Sequence, residues 1–373
     1  MLKPGTEAEL AEIVAGAIEP LAVQGGGTKG MTPEGVPLTT AALSGISLYE
    51  PGALTIVAQA GTPVAEVEAA LDAENQRLAF EPMDYRGLLK TEGEPTIGGV
   101  VAANVSGPRR ISVGACRDFA LGVRYVDGAG QIIKNGGRVM KNVTGYDLVK
   151  LMSGSRGTLG VLTEVSLKVL PKPETMATVM IVGQTPDEAV GAMSTALGSP
   201  YDVTGAAYSP CGLDGTPVTA IRVEGFEGSV RYRSDAIQGL FSGLQSSVET
   251  DVDKVAAGWE MIRDCQTLKD EEGDVWRISV KPSDAPAVLE QVQPSRYLLD
   301  WGGGLIWAAV SKGDDLRARL GAFDGHATLV RSDNDTRAAL GMFQPEPAPV
   351  AAITAGLRAR FDPRGMLNPG LMG

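Results

Sequence analysis

The chain has 373 residues, of which 43% are hydrophobic and 21% are charged, a balance typical of folded globular proteins and not of disordered or collagen-like chains. This length exceeds what a single hydrophobic core usually organises, so we expect two domains. The net charge of −12 argues against binding nucleic acid through a generally basic surface.

The cysteine and histidine counts exclude several kinds of redox and metal chemistry. The three cysteines (Cys116, Cys211 and Cys265) lie far apart and cannot supply four thiolates to an iron–sulfur cluster. The one histidine, His326, excludes a two-histidine metal site within the chain, and we expect no bound metal. Any chemistry must therefore come from a carboxylate, a tyrosine, a lysine or a bound cofactor.

Nothing in the sequence predicts insertion into a membrane. The first turns contain Glu7, Glu9 and Glu12 and lack the apolar stretch of a signal peptide. No run approaches the roughly 20 apolar residues of a membrane-spanning helix. We expect a cytoplasmic protein that reaches the inner membrane only peripherally, through partners.

The N-terminal part of the chain predicts helices alternating with short strands. A capping pattern at Thr6 and Glu9 indicates a first helix. The run 21–24 indicates a strand that ends in a glycine turn, and 54–60 indicates another strand. Thr62 and Pro63 then mark the start of a second helix, with Thr62 as its cap. Farther on, predicted strands and one short helix alternate with glycine-rich turns, at 122–126, 131–134, 146–152 (the helix) and 161–170.

Pro171 and Pro173 predict a domain boundary. Beyond them, strands mix with amphipathic helices, which is typical of an α+β domain built on an antiparallel sheet. The predicted strands cover 176–182, 219–224, 274–280, 305–310 and 327–331, and an apolar stripe predicts a helix over 252–262. A proline-rich linker at 345–349 precedes a last helix. The predicted units are therefore domains 1–173 and 174–344, with a helix and tail at 345–373 that returns to the first domain.

Three glycine loops stand out, at 25–30, 96–99 and 157–160. The first satisfies G-x-G-x-x-G, but Pro33 and Pro37 follow at once and prevent the helix that a nicotinamide-binding fold needs there. Three such loops at predicted strand ends indicate one extended ligand held by backbone N–H groups. For any single loop, a tight hairpin turn is the alternative.

The charge distribution favours an anionic ligand. Residues 104–172 contain eleven basic and four acidic side chains, in a chain that is negative as a whole. A local positive field fits an anionic cofactor or a docking face, and an exposed, solvated face is the alternative.

Several segments resemble the FAD-binding domain of the PCMH-type flavoproteins of the vanillyl-alcohol-oxidase superfamily. The matching segments, in order, are Gly25–Thr28, Pro95–Gly99 with Asn104, 141–148, 154–164 and 367–370. The resemblance covers most of 1–173 and the C-terminal tail. It implies a PCMH-type FAD-binding domain of two α/β subdomains, followed by an α+β cap domain with an antiparallel sheet.

The resemblance also implies FAD as the cofactor and a role for each segment. Gly25, Gly26, Gly27 and Thr28 would hold the diphosphate. Gly160 and Val161 would hold the adenine end or close the cradle, and Asn368 would approach the flavin ring. The ribityl–flavin portion would lie along Pro82, Met83, Asp84, Thr96, Ile97, Gly98, Gly99 and Asn104.

Two departures from the family pattern matter. Relatives with covalently attached flavin carry a histidine near the first loop, whereas this chain has Thr28, so we expect non-covalent FAD. Cys116 lies near a region where some relatives have a second tether, and we expect it to be a buried, unreactive thiol.

The second departure concerns catalysis. The hydroxy-acid dehydrogenases of the family use several cap-domain histidines, for a metal and a base. This chain has only His326, for which we expect a hydrogen-bonded structural role at a strand start, with a lone base or flavin neighbour as the alternative.

Residues 326–331 and the turn at 300–303 resemble the FAD-binding subunits of bacterial glycolate oxidases. The resemblance implies glycolate oxidation to glyoxylate beside a catalytic flavin subunit and an iron–sulfur subunit. This chain would then transfer electrons or stabilise the assembly. The alternative is a self-sufficient FAD-dependent 2-hydroxy-acid dehydrogenase, with Arg331 or Arg222 holding the substrate carboxylate and His326 or Tyr208 as base. A scaffold without cofactor is the third hypothesis.

Overall fold

The computed structural model describes residues 1–31, 33–137, 145–212 and 214–371. The helices are α1 (Glu7–Gly16), α2 (Val64–Asp72), α3 (Arg86–Leu89), α4 (Ile97–Ala102), α5 (Arg110–Val113), α6 (Cys116–Phe119), α7 (Leu148–Met152), α8 (Pro186–Leu197), α9 (Glu227–Leu240), α10 (Val252–Arg263), α11 (Ala285–Val292), α12 (Leu316–Leu320), α13 (Asn334–Leu340) and α14 (Ala348–Phe361). Short 3-10 turns occupy Pro51–Ala53, Gln266–Leu268, Pro282–Asp284 and Trp301–Gly303.

The strands form two large sheets and two small ones. They are β1 (Leu21–Gln24), β2 (Val36–Thr39), β3 (Ile46–Glu50), β4 (Thr55–Gln59), β5 (Gln76–Arg77), β6 (Ala120–Val126), β7 (Ile132–Gly136), β8 (Val161–Lys168), β9 (Leu170–Pro171), β10 (Thr175–Val182), β11 (Gly205–Ser209), β12 (Val218–Gly225), β13 (Ser246–Glu249), β14 (Asp274–Val280), β15 (Arg296–Asp300), β16 (Leu305–Val310) and β17 (Gly325–Arg331).

The first subdomain consists of α1 and the parallel pair β1–β2. Thr6 caps α1 by accepting a hydrogen bond from the Glu9 N–H, and the helix buries Leu10 and Val14 on one face. These side chains pack in a small core with Leu21 and Leu38. The chain returns here at its C-terminal end, because Leu367 bridges to Leu21 in parallel.

The second subdomain is an antiparallel sheet with the order β3-β4-β8-β6-β7. Helix α2 buries Val64, Val67 and Leu71, which are spaced so that they share one helix face. Helix α4 adds Ile97 and other side chains to the same core, which continues across the domain boundary into the cap. The first and second subdomains thus face each other across the loops that follow β1 and β4.

The cap domain is an eight-stranded antiparallel sheet with the order β13-β10-β12-β11-β15-β16-β14-β17. Because side chains alternate along a strand, each strand serves two layers. On β14, Trp276 and Ile278 pack with helices α8, α9, α11 and α12 on the outer face. The opposite face is covered partly by α10 and partly by the N-terminal domain, toward which Arg277 and Ser279 point. That contact between sheet and domain positions the site described below.

The fold class is confirmed, and three local predictions need correction. The loop 96–99 is not a turn at a strand end: Thr96 caps α4, and the glycines form its first turn. Helix α2 is capped at Pro63 and not at Thr62, whose hydroxyl instead donates to the Gln59 carbonyl at 2.7 Å. Strands β2, β3, β11, β13 and β15 and the two-residue strands β5 and β9 were not predicted. No helix within the described ranges is both long and apolar enough to cross a membrane.

Candidate functional site: a glycine-lined cleft that opens into a cationic cavity

The first glycine loop forms one wall of a cleft between the two subdomains. A side chain at Gly26 would place its Cβ 1.7 Å from the Glu94 carbonyl oxygen, and one at Gly25 would lie 2.3 Å from the Thr96 hydroxyl. Gly27 has a φ of +72°, in the left-handed region. The loop is therefore glycine-rich because it packs directly on the segment that precedes α4.

The N–H groups of this loop are free to bind an anion. Those of Gly26, Gly27, Thr28 and Lys29 donate to no acceptor within the described part of the chain. The carbonyl groups of the loop hold it in place, because the Gly25 carbonyl accepts from the Thr39 hydroxyl at 2.8 Å and the Thr28 carbonyl accepts from the Thr91 hydroxyl at 3.0 Å. Successive unpaired N–H groups held in this way suit a phosphate or diphosphate.

The second wall is the start of α4. The Thr96 hydroxyl accepts a hydrogen bond from the Gly99 N–H at 3.3 Å, and Thr96, Gly98 and Gly99 line the cleft. A Cβ on Gly98 would lie 2.5 Å from the Ala60 side chain, so the helix packs directly on the residue that follows β4. Ile97, which the sequence placed along the cofactor, instead turns into the core and is fully buried.

The third wall contains Gly157, Gly160 and Val161, and it is held in place by the tail. The Asn368 side chain accepts from the Val23 N–H at 2.6 Å and donates to the Arg156 carbonyl at 2.9 Å. It is 1% exposed and does not line the cleft. The structure thus places Asn368 behind the wall, where it joins β1 to the Gly157 loop, and not in the cleft beside a ring.

The cleft opens into a cavity of about 280 Å³ between the N-terminal domain and the cap sheet. The two spaces share four lining residues (Lys29, Met31, Ala103 and Arg156), so one extended ligand can occupy both. Met83 and Asn104, which the resemblance places along the ribityl–flavin portion, both line the cavity. The cavity is also lined by Tyr85, Arg110, Arg277, Asp300, Trp301 and His326.

Pro82 and Asp84 line neither space. Pro82 is buried. The Asp84 carboxylate accepts from the Arg86 guanidinium at 2.8 Å, and the Asp84 N–H donates to Asp264 at 2.9 Å. These bonds of Asp84 fix the loop before α3. Both Pro82 and Asp84 therefore lie away from the cofactor position that the resemblance implies.

Positive charge dominates the cavity wall. The guanidinium groups of Arg110, Arg156 and Arg277 have no carboxylate partner within the described residues. Arg110 and Arg277 lie over the ring of Trp301, with Cζ 4.5 Å and 5.0 Å from its centroid, and Arg156 lies over Phe343 at 4.8 Å. Burial lowers the pKa of Arg277, and burial together with Arg156 lowers the pKa of Lys29 to about 8.

Three cavity groups can exchange protons. Burial raises the pKa of Asp300 to about 7, and this carboxylate accepts a hydrogen bond from the Trp301 N–H at 2.7 Å. Burial raises the pKa of Tyr85. Burial, Arg277 and Arg110 lower the pKa of His326, which therefore is neutral at pH 7. His326 is the second residue of β17 and is exposed at the cavity mouth, and its ring makes no hydrogen bond within the described residues, so the structure does not show the hydrogen bond expected for a structural role.

The two arginines that the sequence offered as substrate ligands serve the structure instead. Arg331 donates to main-chain carbonyls, including those of Leu88 at 3.0 Å and Leu268 at 3.1 Å, and does not line the cavity. Arg222 is 2% exposed and binds both carboxylate oxygens of Glu81 at 3.0 Å. Neither can reach a ligand in the cavity without breaking these bonds.

Two further sequence candidates lie away from the site. Tyr208 is buried in the outer layer of the cap, where its hydroxyl donates to the Gln184 carbonyl at 3.0 Å. Cys116 is buried in the core and lines neither cleft nor cavity, and burial raises the pKa of its thiol. It fits an unreactive thiol better than a tether. Of the segment 141–148, residues 141–144 lie outside the described residues.

Sequence inspection missed Arg277 and the stacking role of Trp301. A signal was present, since Arg277 and Ser279 are polar residues at alternate positions of an otherwise apolar strand. Such a pattern indicates that one face of the strand meets something other than a plain core. Arg110 and Arg156 belong to the basic segment 104–172, but their sequence positions do not distinguish them from the other basic residues of that segment.

Comparisons with known proteins agree with this geometry. The family model described as an FAD binding domain matches residues 1–136. The chain is 37% identical over 361 residues to the glycolate oxidase subunit GlcE of Escherichia coli, covering 95% of this chain and 92% of that protein. It is 29% identical over 252 residues to the glycolate oxidase subunit GlcD of Bacillus subtilis, covering 66% of this chain and 50% of that protein.

The fold is shared with a solved enzyme. An alkyldihydroxyacetonephosphate synthase structure superposes with a TM-score of 0.72, covering 98% of this chain and 76% of that one at 16% identity. The free N–H groups of the first loop and the cleft that they face fit the diphosphate of FAD, which is the cofactor of this domain family. The chain is therefore an FAD-dependent oxidoreductase of the PCMH-type flavoprotein fold, and it belongs to the family of the glycolate oxidase subunit GlcE.

Proposed function

We propose that this chain is the FAD-carrying subunit of an assembly that oxidises glycolate to glyoxylate. The observation that carries the proposal is the continuous path from the unpaired N–H groups of the first glycine loop to the cationic cavity under the cap sheet. An extended, anionic cofactor with a redox-active ring fits such a path. The similarity to GlcE over nearly its whole length supports the assignment to a glycolate oxidase.

In this proposal each wall of the cleft contacts a different part of the cofactor. Gly25, Gly26, Gly27 and Thr28 bind the diphosphate through their N–H groups. Thr96, Gly98 and Gly99 lie along the ribityl chain, Gly160 and Val161 close the adenine end, and Met83 and Asn104 lie at the ring. When bound, FAD supplies the two-electron chemistry. Attachment is non-covalent, because Thr28 stands near the position where relatives with covalently attached flavin carry a histidine, and Cys116 lies outside the cleft.

We infer that the chain works beside a catalytic flavin subunit and an iron–sulfur subunit, transferring electrons or stabilising the assembly. Its three cysteines cannot hold a cluster, and it has one histidine where 2-hydroxy-acid oxidation with a metal needs several. The proposed location is the cytoplasm, with contact to the inner membrane only through these partners.

The visible absorbance spectrum of the purified chain, before and after acid precipitation, tests the cofactor part. A flavin spectrum whose chromophore moves to the supernatant is expected. Gly26→Ala should lose the flavin, because its Cβ would displace the Glu94 carbonyl, whereas Gly52→Ala, at an open position, should keep it. Flavin in the pellet would contradict non-covalent binding, and a colourless folded chain within an active assembly would favour a scaffold.

The cavity supports one second candidate, a self-sufficient FAD-dependent 2-hydroxy-acid dehydrogenase. Arg110 and Arg277 are free to hold a carboxylate, and Asp300 or His326 can accept the hydroxyl proton. Anaerobic addition of glycolate or lactate to the isolated, FAD-loaded chain separates the two functions. Reduction at the rate of the whole assembly would replace the subunit proposal with this one, and an unchanged spectrum would remove it.

A further inference from the structure

Among the described residues, the buried and half-buried arginines outside the cavity mostly have hydrogen-bond or ion-pair partners. Arg109 and Arg222 both bind the Glu81 carboxylate, and Arg109 also pairs with Glu224. Arg331 distributes its N–H groups over main-chain carbonyls. An uncompensated buried charge is costly, so a fold keeps one only where something else requires it.

Arg110 and Arg277 are two half-buried charges without such compensation, and they share one neighbour. Both guanidinium groups lie over the indole of Trp301, and neither has a hydrogen-bond or ion-pair partner within the described residues. An aromatic face attracts a guanidinium without neutralising it and without occupying its N–H groups. The indole therefore holds both arginines at the wall while their charge and donors stay available to the cavity.

Trp301 is itself held in an unusual conformation. Its φ is +54°, in the left-handed region that a bulky side chain rarely adopts. The indole N–H donates to the Gly107 carbonyl of the N-terminal domain at 3.0 Å, and the backbone N–H donates to Asp300 at 2.7 Å. Gly302 and Gly303, also at positive φ, allow the turn. Contacts from both domains thus fix the ring beside the two arginines.

We propose that Trp301 is a positioning residue that keeps Arg110 and Arg277 charged and unpaired at the cavity, and that together they raise the reduction potential of the bound flavin. The proposal rests on the function proposed above, in which FAD fills the cleft and its ring reaches the cavity. In this proposal Trp301 acts through the two arginines and need not contact a substrate.

The physical reason is electrostatic. A flavin ring that takes up two electrons and one proton carries one negative charge more than the oxidised ring. Fixed cations in a site with little water stabilise that charge far more than water would. Among the described residues, the cavity is lined by five cations and a single carboxyl group, Asp300. The cations are Lys29, Arg110, Arg156, Arg277 and Arg263, of which Arg263 is paired with Asp264 outside the lining. Charge placed near the ring is one of the means by which a protein adjusts flavin chemistry.

Sulfite affinity and the midpoint potential of the FAD-loaded chain test this proposal. Sulfite adds to the oxidised ring and leaves it negatively charged, so its dissociation constant reports stabilisation of a ring anion without any substrate. Trp301→Leu, Arg110→Gln and Arg277→Gln should each weaken sulfite binding about tenfold or more and lower the potential. Trp301→Phe, which keeps an aromatic face, should stay within about threefold of the parent chain.

Arg231→Gln is the matched control, because Arg231 is an exposed charge paired with Glu227 on the cap surface. It should change neither quantity. Unchanged sulfite affinity and potential in both arginine variants would overturn the proposal, and these two variants decide it even if Trp301→Leu does not fold. Equal losses in Trp301→Phe and Trp301→Leu would overturn the positioning role. A parent chain that takes up no FAD contradicts the proposed function instead, and this is visible in the spectrum before sulfite is added.

Discussion

Two groups of arginines lie between the FAD-binding domain and the cap, and they differ in how their charge is met. Around Glu81, Arg222 binds both carboxylate oxygens at 3.0 Å, and Arg109 adds a bond at 2.9 Å. Burial alone would raise the pKa of Glu81, but these arginines lower it to about 2. At the cavity, Arg110 and Arg277 have only the face of Trp301.

The difference separates a structural use of buried charge from a functional one. The Glu81 network joins a loop of the N-terminal domain to strand β12 of the cap, so its charges hold the two domains together. The cavity arginines form no ion pair that links the two domains. Their positive charge would be neutralised only by a bound anion. Removing a charge should therefore have opposite effects on stability in the two places.

The largest effect is expected for Arg222→Met. Glu81 would lose both bonds to this side chain while remaining buried, and breaking a buried pair from one side typically costs about 3–5 kcal/mol. Urea unfolding of the FAD-free chain measures the change in free energy. Arg231→Met, which breaks an exposed pair, should cost less than about 1 kcal/mol. A loss equally small in Arg222→Met would show that the network contributes little.

Asp300→Asn should give a smaller effect with a characteristic pH dependence. The pKa of Asp300 is raised from 3.8 to about 7, so between these values the folded chain binds the proton and the unfolded chain does not. The free energy of unfolding of the parent chain must then fall as the pH rises through that window. The variant has no titrating carboxyl group at this position, so its free energy of unfolding does not fall in this way. It should be more stable than the parent by on the order of 1–2 kcal/mol at pH 8, and by little at pH 4.

Unfolding measurements at these two pH values check the sign directly. A stability difference that is the same at both would mean that Asp300 titrates normally. The isosteric amide still accepts the Trp301 N–H, which keeps the turn in place.

The smallest effect is expected for Arg277→Gln in the FAD-free chain. Replacing an unpaired, buried cation with a neutral side chain should leave stability unchanged or raise it by about 1 kcal/mol. Thermal unfolding without flavin measures this. Destabilisation comparable to that of Arg222→Met would abolish the distinction between the two groups of arginines.

Much of the fold was accessible from the sequence because the signals are local. The stripe at Val252, Val255 and Trp259 predicts α10, and the apolar runs predict the central cap strands. The glycine loops predicted a ligand held by backbone, and the structure brings all three to one cleft. The role of Thr96 as the cap of α4 was not predicted, because a glycine-rich segment indicates a turn more strongly than the start of a helix.

The site was only partly accessible, since the partners of a charged side chain are set by tertiary contacts. Arg222 and Arg277 both lie on cap strands with similar neighbours in sequence. Only the fold shows that Glu81 meets the first and Trp301 the second. Arg331 looked suitable for a substrate for the same reason, and its carbonyl partners come from segments more than fifty residues away.

The contact made by Asn368 has a consequence for the biosynthesis of the protein. This residue ties Val23 to the loop at Arg156, across 345 positions of the chain in the first case. A nascent chain that has already folded α1, β1 and the first glycine loop still lacks the clamp that holds the third wall. We therefore expect FAD to be taken up after translation has reached the tail, and a chain stalled before Asn368 to reach the cell's proteases without its cofactor.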